Sequence, residues 1–203
     1  MLNTSKVEIS FNDLLIRLGY LRAKTKISNS IVNSIEEILD LAQKIIRPKF
    51  VIAFENVKLK RNFVLFERGY RISSGDVIAF LKDCFKVYGV CVTIDGALGR
   101  KTEDFFKKNE PFNALVLDAA GSVAAEKMIG LANAQIKNHE EKNGNVLTKR
   151  YSPGYGNWLL KDNKDFLDWV GADRIGVKLN DFYQMEPEKS VSALIGVKSG
   201  HIK

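Results

Sequence analysis

The sequence predicts an α+β fold: a single domain with a mostly antiparallel twisted sheet flanked by helices. Three observations carry that expectation. Apolar runs of strand length follow one another through links too short for βαβ crossovers, most plainly after residue 174. Between them lie amphipathic stretches at helical spacing. Neither an internal repeat nor a linker-like tract interrupts the 203 residues, so residues 1–203 count as one domain.

Each element has a local reason. Residues 6–9 read as a short strand. Ser10 stands three before Asp13 as a helix cap, and Leu14, Leu15 and Leu18 share a face before Gly19 stops the turn. After Ser28-Asn29-Ser30, the positions Ile31, Ile35, Ile38, Leu39, Ala42, Ile45 and Ile46 predict a longer helix, closed by Pro48. Residues 49–59 and 62–67, parted by Lys60-Arg61-Asn62, predict a hairpin. Ser73-Ser74-Gly75-Asp76 caps a helix running through Cys84. Residues 85–94 (Phe-Lys-Val-Tyr-Gly-Val-Cys-Val-Thr-Ile) form the clearest strand, and a helix follows over 97–108. A long Ala-rich helix is expected over 113–141, then an extended segment at 145–151 and a short helix over 162–170. Strands at Ile175–Leu179, Phe182–Met185 and Val191–Val197 complete the pattern.

Composition excludes more than it identifies. Hydrophobic residues make up 45% and charged residues 27%, which rules out whole-chain disorder. The formal charge is +7, and residues 1–70, with 12 basic and 7 acidic groups, hold most of it. The basic groups are interleaved with acids and no aromatic stripe accompanies them, so no nucleic-acid partner is expected. The surplus suits a solvated surface or a docking face for an acidic partner. Cys84 and Cys91 lie at neither a zinc nor a redox spacing and read as two reduced, buried thiols. The opening MLNTSKVEIS has no apolar leader core and no run approaches 18 apolar residues, so the expectation is a cytoplasmic protein without a membrane partner.

Familiar catalytic equipment is missing. With two histidines, His139 and His201, no Cys/His set for a catalytic zinc is available, and no metal site is expected. There is no Walker loop and no G-x-S-x-G elbow. Asp95-Gly96-Ala97-Leu98-Gly99 lacks the dinucleotide spacing and reads as a tight strand-to-helix turn.

One stretch stands apart: Lys149-Arg150-Tyr151-Ser152-Pro153-Gly154-Tyr155-Gly156-Asn157-Trp158. Pro153 holds Ser152 extended, while Gly154 and Gly156 permit positive φ. Arg150 offers a planar fork for a carboxylate or phosphate. Tyr151, Tyr155 and Trp158 offer flat faces, and a bent backbone offers N–H groups. Two readings remain open on residues alone: a Pro-Gly turn with core aromatics, or a site for a zwitterionic ligand bearing an aromatic ring.

The run RYSPGYGNW resembles the R-x-x-P-G-Y motif of the activation domain of cobalamin-dependent methionine synthase. Residues 117–136 (LDAAGSVAAEKMIGLANAQI) resemble the family's Ala-Glu helix at Ala125-Glu126, and residues 175–197 resemble its M-x-P-x-x-S-V-S ending. The strongest resemblance spans 95–198 and is nearest to short stand-alone members. It implies S-adenosylmethionine bound outside any Rossmann fold, presented to cobalamin that has lapsed into cob(II)alamin. An electron from a flavodoxin-type donor then permits reductive methylation to methylcobalamin. The implied partner is a methionine synthase lacking its own activation domain, and the protein would be a methyltransferase component working only in that complex. The alternative is a non-catalytic ligand-binding module serving another corrinoid protein.

Residue by residue, the resemblance implies that Arg150 pairs with the methionyl carboxylate. Gly154 and Tyr155 would hold the ligand by backbone contacts, with the Tyr155 ring at the methyl-transfer face as the catalytic candidate. Glu126 would bind ribose hydroxyls or the amino group and complement the sulfonium; its bland reading is an exposed helix glutamate. Ser152 would contribute backbone contacts. Where the full-length enzyme continues Pro-Ala-Cys-Pro, this chain has Gly156-Asn157-Trp158-Leu159, which implies a different cobalamin-facing edge. No D-x-H-x-x-G signature is present, so the corrinoid would stay on the partner.

Overall fold

One antiparallel sheet separates two hydrophobic cores, and a single strand explains why both exist. The computed structural model describes residues 2–3, 7–20 and 27–200. Strand β5 (Lys86–Thr93) lies in the middle, and every residue from Val87 to Thr93 is buried. Tyr88, Val90 and Val92 face one core while Val87 and Cys91 face the other. A strand covered on both sides needs apolar residues at successive positions, which is why 85–94 reads as an unbroken run.

On one side of β5 come β2 (Lys49–Leu59), β3 (Val64–Phe66) and β4 (Arg71–Ile72). On the other come β9 (Ser190–Ser199) and, at the edge, β6 (Asn145–Tyr151). The two-residue β1 (Leu2–Asn3) pairs with β2 at Val51 and Phe50, and β3 pairs with the other end of β2 at Val57–Leu59. All pairings are antiparallel, as the short links predict.

Helices cover both faces. The first core lies under α1 (Phe11–Arg17), α2 (Asn29–Ile45), α4 (Ala97–Lys107) and α5 (Pro111–Glu141); the second lies under α3 (Gly75–Phe80) and α6 (Asn163–Val170). Gly89 seats α6, because a Cβ there would collide with the Trp169 ring and with Val170. The central element is α5. It starts on Pro111, whose missing N–H costs nothing in a first turn. It touches α1, α2 and α4 on one side and β2, β5, β6 and β9 on the other. Its Ala and Gly content permits such crowding: a Cβ on Gly121 would press on Leu98 at 2.9 Å.

The far end of α5 is fastened by charge. Glu140, fully buried, accepts from Lys86 Nζ (2.6 Å), Tyr88 Oη (2.5 Å) and Asn145 Nδ2 (2.7 Å). Burial pushes its carboxyl up, but the three donors outweigh that and hold it below the ordinary carboxylate value.

Several expectations shift. Of the strand expected at 6–9, residue 6 lies outside the described residues; Val7 and Ile9 are buried with Glu8 exposed between them, and 7–9 form no strand. Their alternation records packing into the first core, not a ladder. The helix expected through Cys84 stops at Phe80, and Asp83 turns the chain at φ 65°. Ile175 closes a 3₁₀ turn (Ala172–Ile175), so that strand shrinks to β7 (Lys178–Leu179). Its partner β8 is Met185–Glu186, while Phe182 to Gln184 form the hairpin tip. Asn180 Oδ1 accepts from the N–H groups of Phe182 and Gln184 there, and this local bond outcompetes a longer ladder.

Cys84 and Cys91 are free and buried, as expected. Burial pushes the Cys84 thiol up to about 11 and the Cys91 thiol up to about 12. Among the described residues, no helix is long and apolar enough to cross a membrane, and no group of His, Cys, Asp and Glu side chains could hold a metal ion.

Candidate functional site

A β-bulge decides where Arg150 goes. Opposite β9, Leu147 pairs with Val197 and Arg150 with Ile195, so three steps on β6 match two on β9. Leu147, Val197 and Ile195 all belong to the first core. Strict alternation would send Arg150 to the second core, since Leu147 and every second residue after it would face α5. The extra residue at Thr148-Lys149 turns Arg150 back toward α5. Thr148 Oγ1 holds the bulge by accepting from the Gly196 N–H at 2.9 Å. Gly196 must lack a side chain, because a Cβ would meet Cys84 Sγ at 2.5 Å and Leu81 at 2.9 Å.

Across from it, α5 presents Glu126 and Asn133, two turns apart on one stripe. Arg150 Nη2 donates to Glu126 Oε2 at 3.3 Å, with side chains 39% and 64% exposed. A cleft of about 540 Å³ lies at this junction, lined by Glu126, Arg150, Ser152, Tyr155 and, among others, Asn133 and Ser192. Four of the five expected site residues therefore meet, although Glu126 and Arg150 come from different elements. Asn133, Thr148 and Ser192 were not anticipated. Asn133 was legible as Glu126 plus seven on one helix; the bulge at Thr148 had no sequence signature.

The fifth, Gly154, sits in the turn beside the cleft. Its φ is +96°, and its N–H donates to the Trp158 carbonyl at 2.7 Å. Other N–H groups of the turn are also engaged: Tyr155 to Ser152 O, Trp158 to Tyr155 O, and Asn157 to Asp76 Oδ2. The expectation of a backbone rich in free N–H groups is corrected accordingly, since the turn closes on itself. Ser152 donates its hydroxyl to the Ser192 carbonyl at 2.6 Å, tying the turn to β9. The Ser152 side chain is thus spent on the scaffold.

The aromatics divide in the same way. Trp158 is fully buried in the second core, edge-on to Phe166, and offers no face to a ligand. Tyr151 stacks between Phe80 and Trp158, with centroids 5.2 and 6.1 Å away, and donates to the Tyr155 carbonyl. Burial, together with the nearby Asp76 carboxylate, pushes its hydroxyl up. Tyr155 alone projects, 65% exposed over the cleft. Gly156 is required by packing: at φ +54° its Cβ would run into Asp76 Oδ2 and the Tyr151 hydroxyl. Asp76 and Asn157 clamp each other, each backbone N–H donating to the other's side chain (2.8 and 3.0 Å). The departure at 156–158 therefore anchors the turn to α3.

Beyond Glu126 the surface continues into a second hollow lined by Asp13, Arg17, Ser122, Lys127, Lys189 and Val191. Lys127 pairs with Asp13 at 2.7 Å; hydrogen bonds from Lys127 and Ser10 hold that carboxyl below its ordinary value. Lys189 reaches Asp118 at 2.7 Å and Ser122 at 3.1 Å.

No protein-family model matches the sequence, and no curated protein matches it. Among solved structures, the chain is similar to the crystal structure of the MetH reactivation domain bound to AdoHcy. The TM-score is 0.75 at 12% identity, covering 100% of this chain and 79% of that one. The α+β architecture that the R-x-x-P-G-Y run implied is therefore present, and the chain has the fold of the MetH reactivation domain.

Proposed function

We propose that the protein binds S-adenosylmethionine in the Arg150–Glu126 cleft. There it supports reductive methylation of cob(II)alamin to methylcobalamin, held by a methionine synthase lacking its own activation domain. The observation that carries this reading is the convergence of Arg150, Glu126 and Tyr155 on one cleft, within a fold shared with a domain crystallised with AdoHcy. The residues suit such a ligand. The cleft volume falls within the range of small-molecule sites. An exposed ion pair is worth about 0–1 kcal/mol, whereas hydrogen bonds to a charged group are worth about 1.5–3 kcal/mol. A ligand carboxylate can therefore take Arg150 from Glu126. Glu126, once released, faces the ligand's amino group or sulfonium.

Tyr155, held out by the closed turn, then covers the methyl group on the open side. The methyl leaves sulfur, which keeps the bonding electron pair and becomes neutral S-adenosylhomocysteine. The electron comes from a flavodoxin-type donor, and the corrinoid on the partner supplies the methyl acceptor. The protein's part is orientation, a proximity effect. Of the two histidines, His139 is exposed on α5 without the D-x-H-x-x-G context, in keeping with a corrinoid kept by the partner.

Calorimetry with S-adenosylmethionine and S-adenosylhomocysteine tests the binding half. Saturable binding is expected, weakened by about 2 kcal/mol in Arg150→Ala. Absence of binding at millimolar ligand overturns it. The second half is tested by mixing the protein with such a methionine synthase, a reductant and S-adenosylmethionine. Failure to form methylcobalamin with several corrinoid partners would favour the non-catalytic module.

A further inference from the structure

On the α5 side the sheet outruns its helices. Phe50 and Ile52 of β2 pack into the first core, but Phe54, on the same face, is 61% exposed. Asn56 and Lys58 beyond it are exposed as well. Register carries this bare face onto the neighbouring strands. Lys58 pairs with Leu65 of β3, and Leu65 with Arg71 of β4, so the three side chains rise together. Arg71 lays its guanidinium over the Phe63 ring, 5.1 Å from the centroid. The opposite face of these strands is not bare, since Val64, Phe66 and Ile72 fill the second core.

The charge here is one-sided. Lys58 and Arg71 stand on the face, and the exposed Lys60 and Arg61 edge it at the β2–β3 turn. None of the four has a carboxylate at ion-pair distance among the described residues. Glu67 is the acid beside them, and it accepts from Asn56 Nδ2 at 3.4 Å. Lys86 lies against the Phe54 ring, but Glu140 already neutralises it. Apolar surface set among unpaired cations is the composition of an interaction face.

We infer that this face docks an acidic protein surface, with carboxylates opposite Lys58, Lys60, Arg61 and Arg71 and an apolar side chain over Phe54 and Leu65. The identity of the partner rests on the function proposed above: it is the methionine synthase that the cleft serves. Charge complementarity selects an acidic occupant. A second copy would set cations against cations. Single-stranded nucleic acid needs rings free to stack, and Arg71 covers Phe63, which leaves Phe54 alone. The position suits a docking role. Phe54, Tyr88, Ile195 and Arg150 form one row across the sheet, so the face lies three strand spacings, about 15 Å, from Arg150. Tyr88 and Ile195 between them are buried, and the face shares no residue with the cleft. A partner held at Phe54 leaves the ligand site free and stays within reach of it.

The test measures association of the full chain with that cobalamin-loaded synthase by sedimentation velocity, at low and at raised salt. Association that weakens with salt is expected. It should fall at least about tenfold in the double variant Lys58→Glu, Arg71→Glu and about tenfold in Phe54→Ala, with folding checked by thermal melting. Calorimetric binding of S-adenosylhomocysteine should be the same in all three proteins. Association that neither salt nor the variants alter, no association with several such synthases, or loss of S-adenosylhomocysteine binding in either variant overturns the inference. An oligothymidylate that binds the parent and not the charge-reversed chain also overturns it, reassigning the face to nucleic acid. So does a dimer of the parent that Phe54→Ala dissolves. A failure of the methyl-donor reading shows separately, as absent S-adenosylhomocysteine binding beside an intact, salt-dependent association.

Discussion

Gly156 shows how much of the site depends on a residue that touches no ligand. Its left-handed φ and its contact with Asp76 and Tyr151 leave no room for a side chain. Gly156→Ala should cost about 2 kcal/mol or more, through backbone strain and overpacking together. Denaturant unfolding measures this, and a loss under about 0.5 kcal/mol would show that the clamp yields. The sequence marked Gly156 as conformationally special but not the reason: the space is taken by Asp76 and the Tyr151 hydroxyl. Arg150 and Glu126 were legible because charged forks and motif positions leave a sequence trace. The roles of Trp158 and Ser152 were not, because burial in the second core and a bond to β9 are set by residues far along the chain.

Among the elements, β6 carries the sharpest prediction. Deleting Lys149 removes the extra residue of the bulge, so β6 can pair regularly with β9. Arg150 would then stand two positions after Leu147, still opposite Ile195 on the α5 face, and would keep Glu126. The variant should unfold at a denaturant concentration near that of the parent and retain S-adenosylmethionine binding, because the face of Arg150 is unchanged. Lost binding would mean that the strand had slipped to another register, or that the bulge itself shapes the cleft. Long periodic elements such as α2, α5 and β5 were legible because burial repeats at their own period. Short ones were not: β7 and β8 span two residues each, and local Asn180 bonds outweigh their weak patterns.

For the whole molecule, acid is the revealing perturbation. Glu55 accepts from Arg68 and from Trp169 Nε1, Asp95 accepts from Lys49, and Glu140 has its three donors. Burial raises each carboxyl, but these bonds overcome it, and all three end below their ordinary values. A carboxyl depressed in the folded state stabilises fully above its unfolded value. That contribution is lost as pH falls through the folded value. Stability should therefore hold near neutrality and decline steadily from about pH 5 toward about pH 2, with a shallower decline in Glu140→Gln. Denaturant midpoints across that range provide the check, and a flat profile would contradict the assigned bonds.

Arg150 and Tyr151 are neighbours in sequence but stand on opposite faces of the sheet, one beside α5 and the other stacked on Trp158. The cleft therefore lies on the seam between two halves that otherwise touch mainly through the sheet itself. A ligand fastened there couples their opening. Amide exchange in α2 and in α6, which share no core, should slow together on adding S-adenosylhomocysteine. Protection confined to α2 and α5 would show that the halves breathe independently.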